Sequence, residues 1–281
     1  MAAKLKRLLR MYALYARMDL RWFTQDTAVC CLVIFSELIA NAASISGVFL
    51  LSRRFQGVGG LTADEVLFFL GLFTLADGLT FMLFGGFNVS NISRRVGRGQ
   101  VDHMLIQPVP LWTQLLAEGF MPVSGSSGFL CGLLLTGVSI ARLGLSVTPG
   151  WLLLLLACLV LRMAIALGAS YLVGASAFYK PAACEEISSL VLDIFGTLGK
   201  YPLSGLPAWL TGLFLTAVPV GLLAWYPSYI LLGKRDAPMA LLLPVTVAAA
   251  LLSAAAYAFQ KGLKHYVKFG CNRYRDLGHR S

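Results

Sequence analysis

A chain of 281 residues with 58% apolar and only 13% charged side chains is not built like a soluble domain, in which roughly 25% of residues are charged. Its net charge of +10 comes from Lys and Arg gathered at both ends and in one loop. That distribution fits anionic lipid headgroups rather than nucleic acid, and six cysteines without a C-x-x-C pair, with three widely separated histidines, argue against a metal site.

Residues 1–26 read as an amphipathic interfacial helix. Leu5, Leu8, Leu9, Tyr12, Tyr15 and Trp22 recur at three- and four-residue spacing, while Lys4, Arg7, Arg10, Arg17 and Arg21 take the other faces. This basic start lacks the short apolar run and small-residue cleavage site of a signal peptide, so it is expected to be retained. Six apolar runs follow, at 27–51, 66–89, 113–141, 151–178, a short one at 187–199, and 240–259. Most approach the roughly 20 residues needed to cross a bilayer core. The expectation is an all-α membrane protein forming a single domain over 1–281, its residues 262–281 a basic tail.

Residues 201–233 are apolar enough to cross once, yet they hold Pro202, Pro207, Pro219 and Pro227, each of which removes a backbone donor. Two half-helices meeting near Pro219 predict a re-entrant hairpin between the fifth and sixth spans. Charge supports that reading. With six spans and both termini inside, sixteen Lys and Arg lie on the inner side and six on the outer, with Arg162 inside a span. A seventh span would put the basic tail outside.

No G-x-x-x-x-G-K-[ST] phosphate loop, G-x-S-x-G elbow or H-E-x-x-H pair occurs. Energised work by this chain therefore needs another chain or an ion gradient. The polar segment 90–110 carries Arg94, Arg95 and Arg98 ahead of an amphipathic stretch that Pro108 and Pro110 stop, which predicts a short helix on the cytoplasmic surface. Charged and amide side chains also fall within apolar runs: Glu37 and Asn41 on one face of the first, Asp77 in the second, Glu118 in the third, Arg162 in the fourth and Asp193 in the fifth. A charge at mid-span costs roughly 2.5–3.5 kcal/mol on insertion scales, so such groups turn inward or pair. Arg162 is expected to pair with a carboxylate. Glu37, Asn41, Asp77, Arg162 and Asp193 serve either as buried charge pairs or as a translocation path, while Glu118 and Asp193 fall close enough to run ends to be interfacial. Ser124, Gly128, Gly132 and Thr136 recur every four residues and make a groove for close helix approach.

Gly99, Asp102, Leu105 and Pro108 together resemble the coupling-helix segment of type-two ATP-binding-cassette export permeases. Pro207, Trp209, Pro219 and Gly233 are similarly placed to the extracellular re-entrant hairpin before the last span of that family. The resemblance is closest to a bacterial subgroup of six-span permeases. It implies a permease dimer, of identical or related subunits, in the bacterial inner membrane. It further implies cytoplasmic ATPase partners that hold the ATP and Mg, with no cofactor in this chain and with Arg94, Arg95, Arg98, Gly99, Asp102, Leu105 and Pro108 at the docking segment. The expected cargo is lipid-like, an amphipathic drug or a peptide. A membrane-embedded lipid-modifying enzyme and a non-catalytic membrane scaffold are the alternatives; no carboxylate–histidine pair at span depth supports the enzyme.

Overall fold

The computed structural model describes residues 2–55, 57–85 and 89–270, and these are helical with no strands among them. In chain order the helices are α1 Ala2–Gln25, α2 Thr27–Arg54, α3 Ala63–Phe84, α4 Val89–Gly97, α5 Gln100–Leu105 and α6 Leu111–Glu118. They continue with α7 Ser126–Leu143, α8 Pro149–Gly174, α9 Pro181–Leu198, α10 Ala208–Thr216, α11 Trp225–Leu231 and α12 Ala237–Phe269. Five of them (α2, α3, α7, α8 with its 3₁₀ extension, and α12) are long and apolar enough to cross a membrane. The bent pair of α10 with the segment through α11 raises the number to six if it counts as one span. Of the two other long helices, α1 has 24 residues and α9 has 18 and carries Glu185, Glu186 and Asp193.

Starts and stops follow local chemistry. Thr62 and Glu65 form a reciprocal capping box at the head of α3, and Lys234 reaches Glu65 at 2.7 Å. Thr148 accepts from the Trp151 N–H, with Pro149 in the first turn of α8. Gly85 ends α3 in the left-handed region at φ 60°, so the second apolar run stops short of residue 89.

The helix α3 is the axis of the bundle. Of its apolar window 72% is buried, against 11% for α2, which lies at the periphery. Its most extensive partner is α7, and the reason is the ladder of small residues. Gly71 faces Thr136, Gly78 faces Gly128 and Phe129, and Gly132 faces Leu75, backbone against backbone. The core continues through Phe69, Leu70 and Phe73 into Ile165 of α8, Phe195 of α9 and the buried segment from Val220 to Tyr226.

Several expected boundaries shift. The third run is not one helix over 113–141. It breaks into α6 and α7 at residues 119–125, where Gly119, Pro122 and Gly125 interrupt the ladder. A Cβ on Gly119 would stand 2.2 Å from the Phe84 carbonyl oxygen, so the tight turn needs glycine there. Asp19 of α1 holds this turn, accepting from the Val123 and Ser124 N–H groups at 2.7 and 3.2 Å and from the Ser124 hydroxyl at 2.6 Å. The last helix runs ten residues past the expected end at 259, to Phe269, because Lys261, Lys264 and Lys268 continue its polar face until Gly270 at φ 68°. Of the basic tail, residues 262–269 are therefore helical and Gly270 ends the helix, while 271–281 lie outside the described residues.

In the 201–233 region, α10 and the segment Val220–Leu231 meet at Pro219 with a bend of 71°. The two arms differ in burial. No residue of α10 is buried and Trp209 is 72% exposed, whereas the second arm is enclosed. The enclosed arm is pinned by hydrogen bonds from Tyr229 to the Gly59 carbonyl at 3.0 Å and from the Trp151 indole to the Leu231 carbonyl at 3.0 Å.

Candidate functional site

Two constellations gather the polar side chains. One is at the end of the bundle that holds α5, the other inside it.

The short helix α5 begins after Gly99, which adopts φ 70° and so turns the chain sharply out of α4. Val101 and Met104 bury against Ile92 and Val96 of α4, Leu111 and Leu115 of α6, and Phe178. Polar bonds fix the helix at both ends. Asp102 accepts from the Tyr266 hydroxyl of α12 at 2.8 Å, so a residue 164 positions away tethers it. The buried amide of Gln114 donates to the Met104 and Val109 carbonyls at 2.9 and 2.8 Å and thereby satisfies acceptors that the end of α5 leaves open. Arg7 of α1 donates to the Pro108 carbonyl at 2.6 Å.

Two of the segment's three arginines are braces. Arg94 pairs with Glu185 of α9 at 3.0 Å, and Arg95 pairs with Glu118 of α6 and touches the Met104 sulfur. Arg98 is exposed. Glu118 thus sits at the end of α6 beside Arg95. The exposed side chains of α5 are Gln100, Asp102, His103 and Leu105, the last at 36%, and Ile106 just past its end is 81% exposed. Sequence reasoning singled out Leu105 but passed over Ile106, the more exposed of the two. Its signal was present, an isoleucine two residues before a proline stop.

Inside the bundle, Arg162 of α8 is 1% exposed and pairs with Asp77 of α3 at 2.7 Å. Its other terminal nitrogen donates to the Ala76 carbonyl and the Thr80 hydroxyl. The expected pairing is thereby met, and the carboxylate is Asp77. Glu37 of α2 accepts from the Ser127 hydroxyl of α7. Glu37, Asn41, Asp77, Ser127 and Lys200 line one cavity of about 200 Å³ between α2, α3, α7 and α9. Asp193 is exposed on α9 and is not part of that lining, although Gly196, one turn on, is. Among the described residues no cluster of three or more His, Cys, Asp or Glu is arranged to hold a metal.

This architecture, of several long apolar helices around a buried ion pair, with a braced surface helix at one end, has a counterpart among known sequences. The family described as ABC-2 family transporter protein matches residues 38–270. The chain belongs to that family. It is a multi-pass integral membrane protein, the permease component of an ABC transporter, and a transport subunit. No curated protein and no solved structure matches the chain. The matched range takes in α5, the cavity-lining Asp77 of α3 and the bent pair, but begins one residue after Glu37, the cavity's other carboxylate.

Proposed function

We propose that this permease works as the membrane-spanning subunit of an ATP-driven exporter, moving a lipid-like, amphipathic drug or peptide cargo outward. ATP and Mg bind to separate cytoplasmic ATPase subunits, and two permeases, identical or related, form the path between them. The protein sits in a bacterial inner membrane with both termini cytoplasmic. Its spans are α2, α3, α7, α8, α9 and α12. On this reading α1 lies in the inner headgroup layer and residues 201–233 dip in from the outside as a re-entrant hairpin.

One observation carries the reading: α5 is a braced surface helix that ends in two exposed apolar side chains, Leu105 and Ile106. Gln114 and Tyr266 lock it to α6 and α12, and the arginine braces Arg94–Glu185 and Arg95–Glu118 tie its approach to α9 and α6. A helix so tied transmits a push from a soluble partner into the bundle, while Leu105 and Ile106 remain free to enter a pocket on that partner. ATP-driven closure of the two ATPases then biases the permease interface between two packed arrangements.

The test uses two variants. Truncating a buried interface anchor typically costs about 2 kcal/mol or more, while a rim charge mostly alters association rate. Leu105→Ala is expected to weaken ATPase co-purification or to uncouple hydrolysis from substrate, with the protein still inserted. Arg98→Ala is expected to do much less at physiological salt. Wild-type behaviour from Leu105→Ala, or equal damage from both, would reduce the segment to a topological signal.

A further inference from the structure

A second cavity, of about 460 Å³, lies between α1, α2, α6 and the 119–125 turn. Its walls are aromatic, with Tyr15, Trp22, Phe81 and Phe120, and it holds the carboxylates of Asp19 and Glu118. Those two anions are already engaged, Asp19 by the Val123 and Ser124 N–H groups and Glu118 by Arg95. Glu37 and Phe81 line both this cavity and the polar one of about 200 Å³. They therefore form the neck between an aromatic vestibule and a polar chamber.

Charge at the neck is negative. Among the described residues Glu37 has no ion-pair partner, and its one hydrogen bond is the donation from Ser127. Ser127 adjoins Gly128, which backs on Gly78, so Glu37 and Asp77 stand at the same level of the bundle. Asp77 keeps 50% of its side-chain surface open, while the guanidinium that balances it is 1% exposed behind it. The chamber's other cation, Lys200, donates to Ser44 at 2.7 Å. Ser44 is seven residues from Glu37, about 10 Å of helix rise away. A visitor at the neck thus meets Glu37 and a ring face, with Asp77 and the Asn41 amide beyond, while Arg162 is tied to Asp77 and Lys200, on the chamber wall, to Ser44.

We propose that the cargo is an amphipathic organic cation, which passes through the aromatic vestibule and is held at the neck by Glu37, with Asp77 and Asn41 beyond it. This deepens the exporter reading and rests on it for the direction of movement, but cation binding itself needs no ATPase. Aromatic faces attract cations through the ring quadrupole, most strongly where water is excluded, and the apolar body of the cargo fills the rest of the vestibule. Glu37 supplies the charge selection.

The experiment uses the full chain in nanodiscs of neutral phosphatidylcholine, with radiolabelled tetraphenylphosphonium as probe and the size-matched anion tetraphenylborate as control. Wild type is expected to retain the cation above empty nanodiscs and to retain no anion above them. Glu37→Gln, which keeps the size of the side chain and an acceptor for Ser127, is expected to weaken cation binding by about tenfold or more, the loss of one charge interaction. Asn41→Asp adds a carboxylate to the same wall and is expected to tighten it. Absence of cation retention by wild type, equal retention of the anion, or unchanged affinity in Glu37→Gln would overturn the proposal. If Glu37→Gln elutes as an aggregate, unchanged affinity in Asn41→Asp overturns it instead. A chain that binds the cation but purifies without an ATPase counts against the exporter reading alone. One that purifies with an ATPase but ignores the cation counts against this inference alone.

Discussion

Replacing Gly132 by alanine should loosen the whole bundle, although it adds one methyl group and raises helix propensity. A Cβ on Gly132 would stand 2.0 Å from the Leu75 nitrogen and 2.3 Å from its Cα, where ordinary contact begins near 3.4 Å. Both obstructing atoms are backbone, so no rotamer change relieves the clash, and α3 and α7 must part by an ångström or more, on the order of 1.5 Å, to clear it. The parting strains the rest of the ladder, because a Cβ would stand 2.1 Å from Phe129 at Gly78 and 2.8 Å from Thr136 at Gly71. A gap of 0.5–1 Å already forfeits about a quarter to a half of each dispersion contact. Overpacking costs typically ~1–3 kcal/mol, and the rigid obstruction puts this case at the upper end, about 3 kcal/mol. That corresponds to a fall in apparent melting temperature of about 6–12 °C for a domain of this size. Gly137 is the control. It lies on the same helix with nothing within 4 Å of its would-be Cβ, so Gly137→Ala is expected to be neutral or slightly stabilising. The assay is the midpoint of loss of the monodisperse peak on heating in mild detergent. Equal midpoints for Gly132→Ala and Gly137→Ala would refute the idea that α3 and α7 meet backbone to backbone.

Asp77→Asn leaves the guanidinium of Arg162, 1% exposed, without its counter-charge, and is expected to cost about 3–5 kcal/mol of stability. Adding Arg162→Met should recover most of that loss in the same melting assay; a double variant no better than the single would mean that the pair does not act as a unit. Topology is checked by labelling single cysteines in a background without native thiols. Positions 100 and 272 are expected to react only from the cytoplasmic side and position 56 only from outside, and labelling of 272 from outside would rule out the six-span arrangement.

The parts of this molecule that were legible in the sequence are those written in local periodicity. The four-residue spacing of Gly128, Gly132 and Thr136 marked a helix seam, and a lone arginine among apolar residues demanded a carboxylate. The prolines of residues 201–233 predicted two short arms, and the arms meet at Pro219 with a 71° bend. The parts that were not legible depend on groups far apart in the chain. The tether from Tyr266 to Asp102 spans 164 positions and the clamp of Asp19 on Ser124 spans 105. Neither leaves a mark on hydrophobic periodicity, because a buried tyrosine or a polar residue on an amphipathic helix looks the same whether or not a distant partner exists. The broken third run has a different cause. Gly119, Pro122 and Gly125 were visible, but the apolar residues around them carried the pattern across the break. The grouping of Glu37 with Asp77 required knowing which face of α2 turns toward α3, and α2 is apolar nearly all round.

The central claim is that this chain couples to a separate ATPase. It is tested most directly by purifying the tagged protein from its native membrane in mild detergent and identifying what comes with it, then measuring ATP turnover with and without the co-purified subunits. The account predicts a phosphate-loop ATPase, bound as two copies per two permeases, and turnover that disappears when that subunit is stripped away. Recovery of the permease with no such ATPase, or undiminished turnover by the stripped chain, would contradict it.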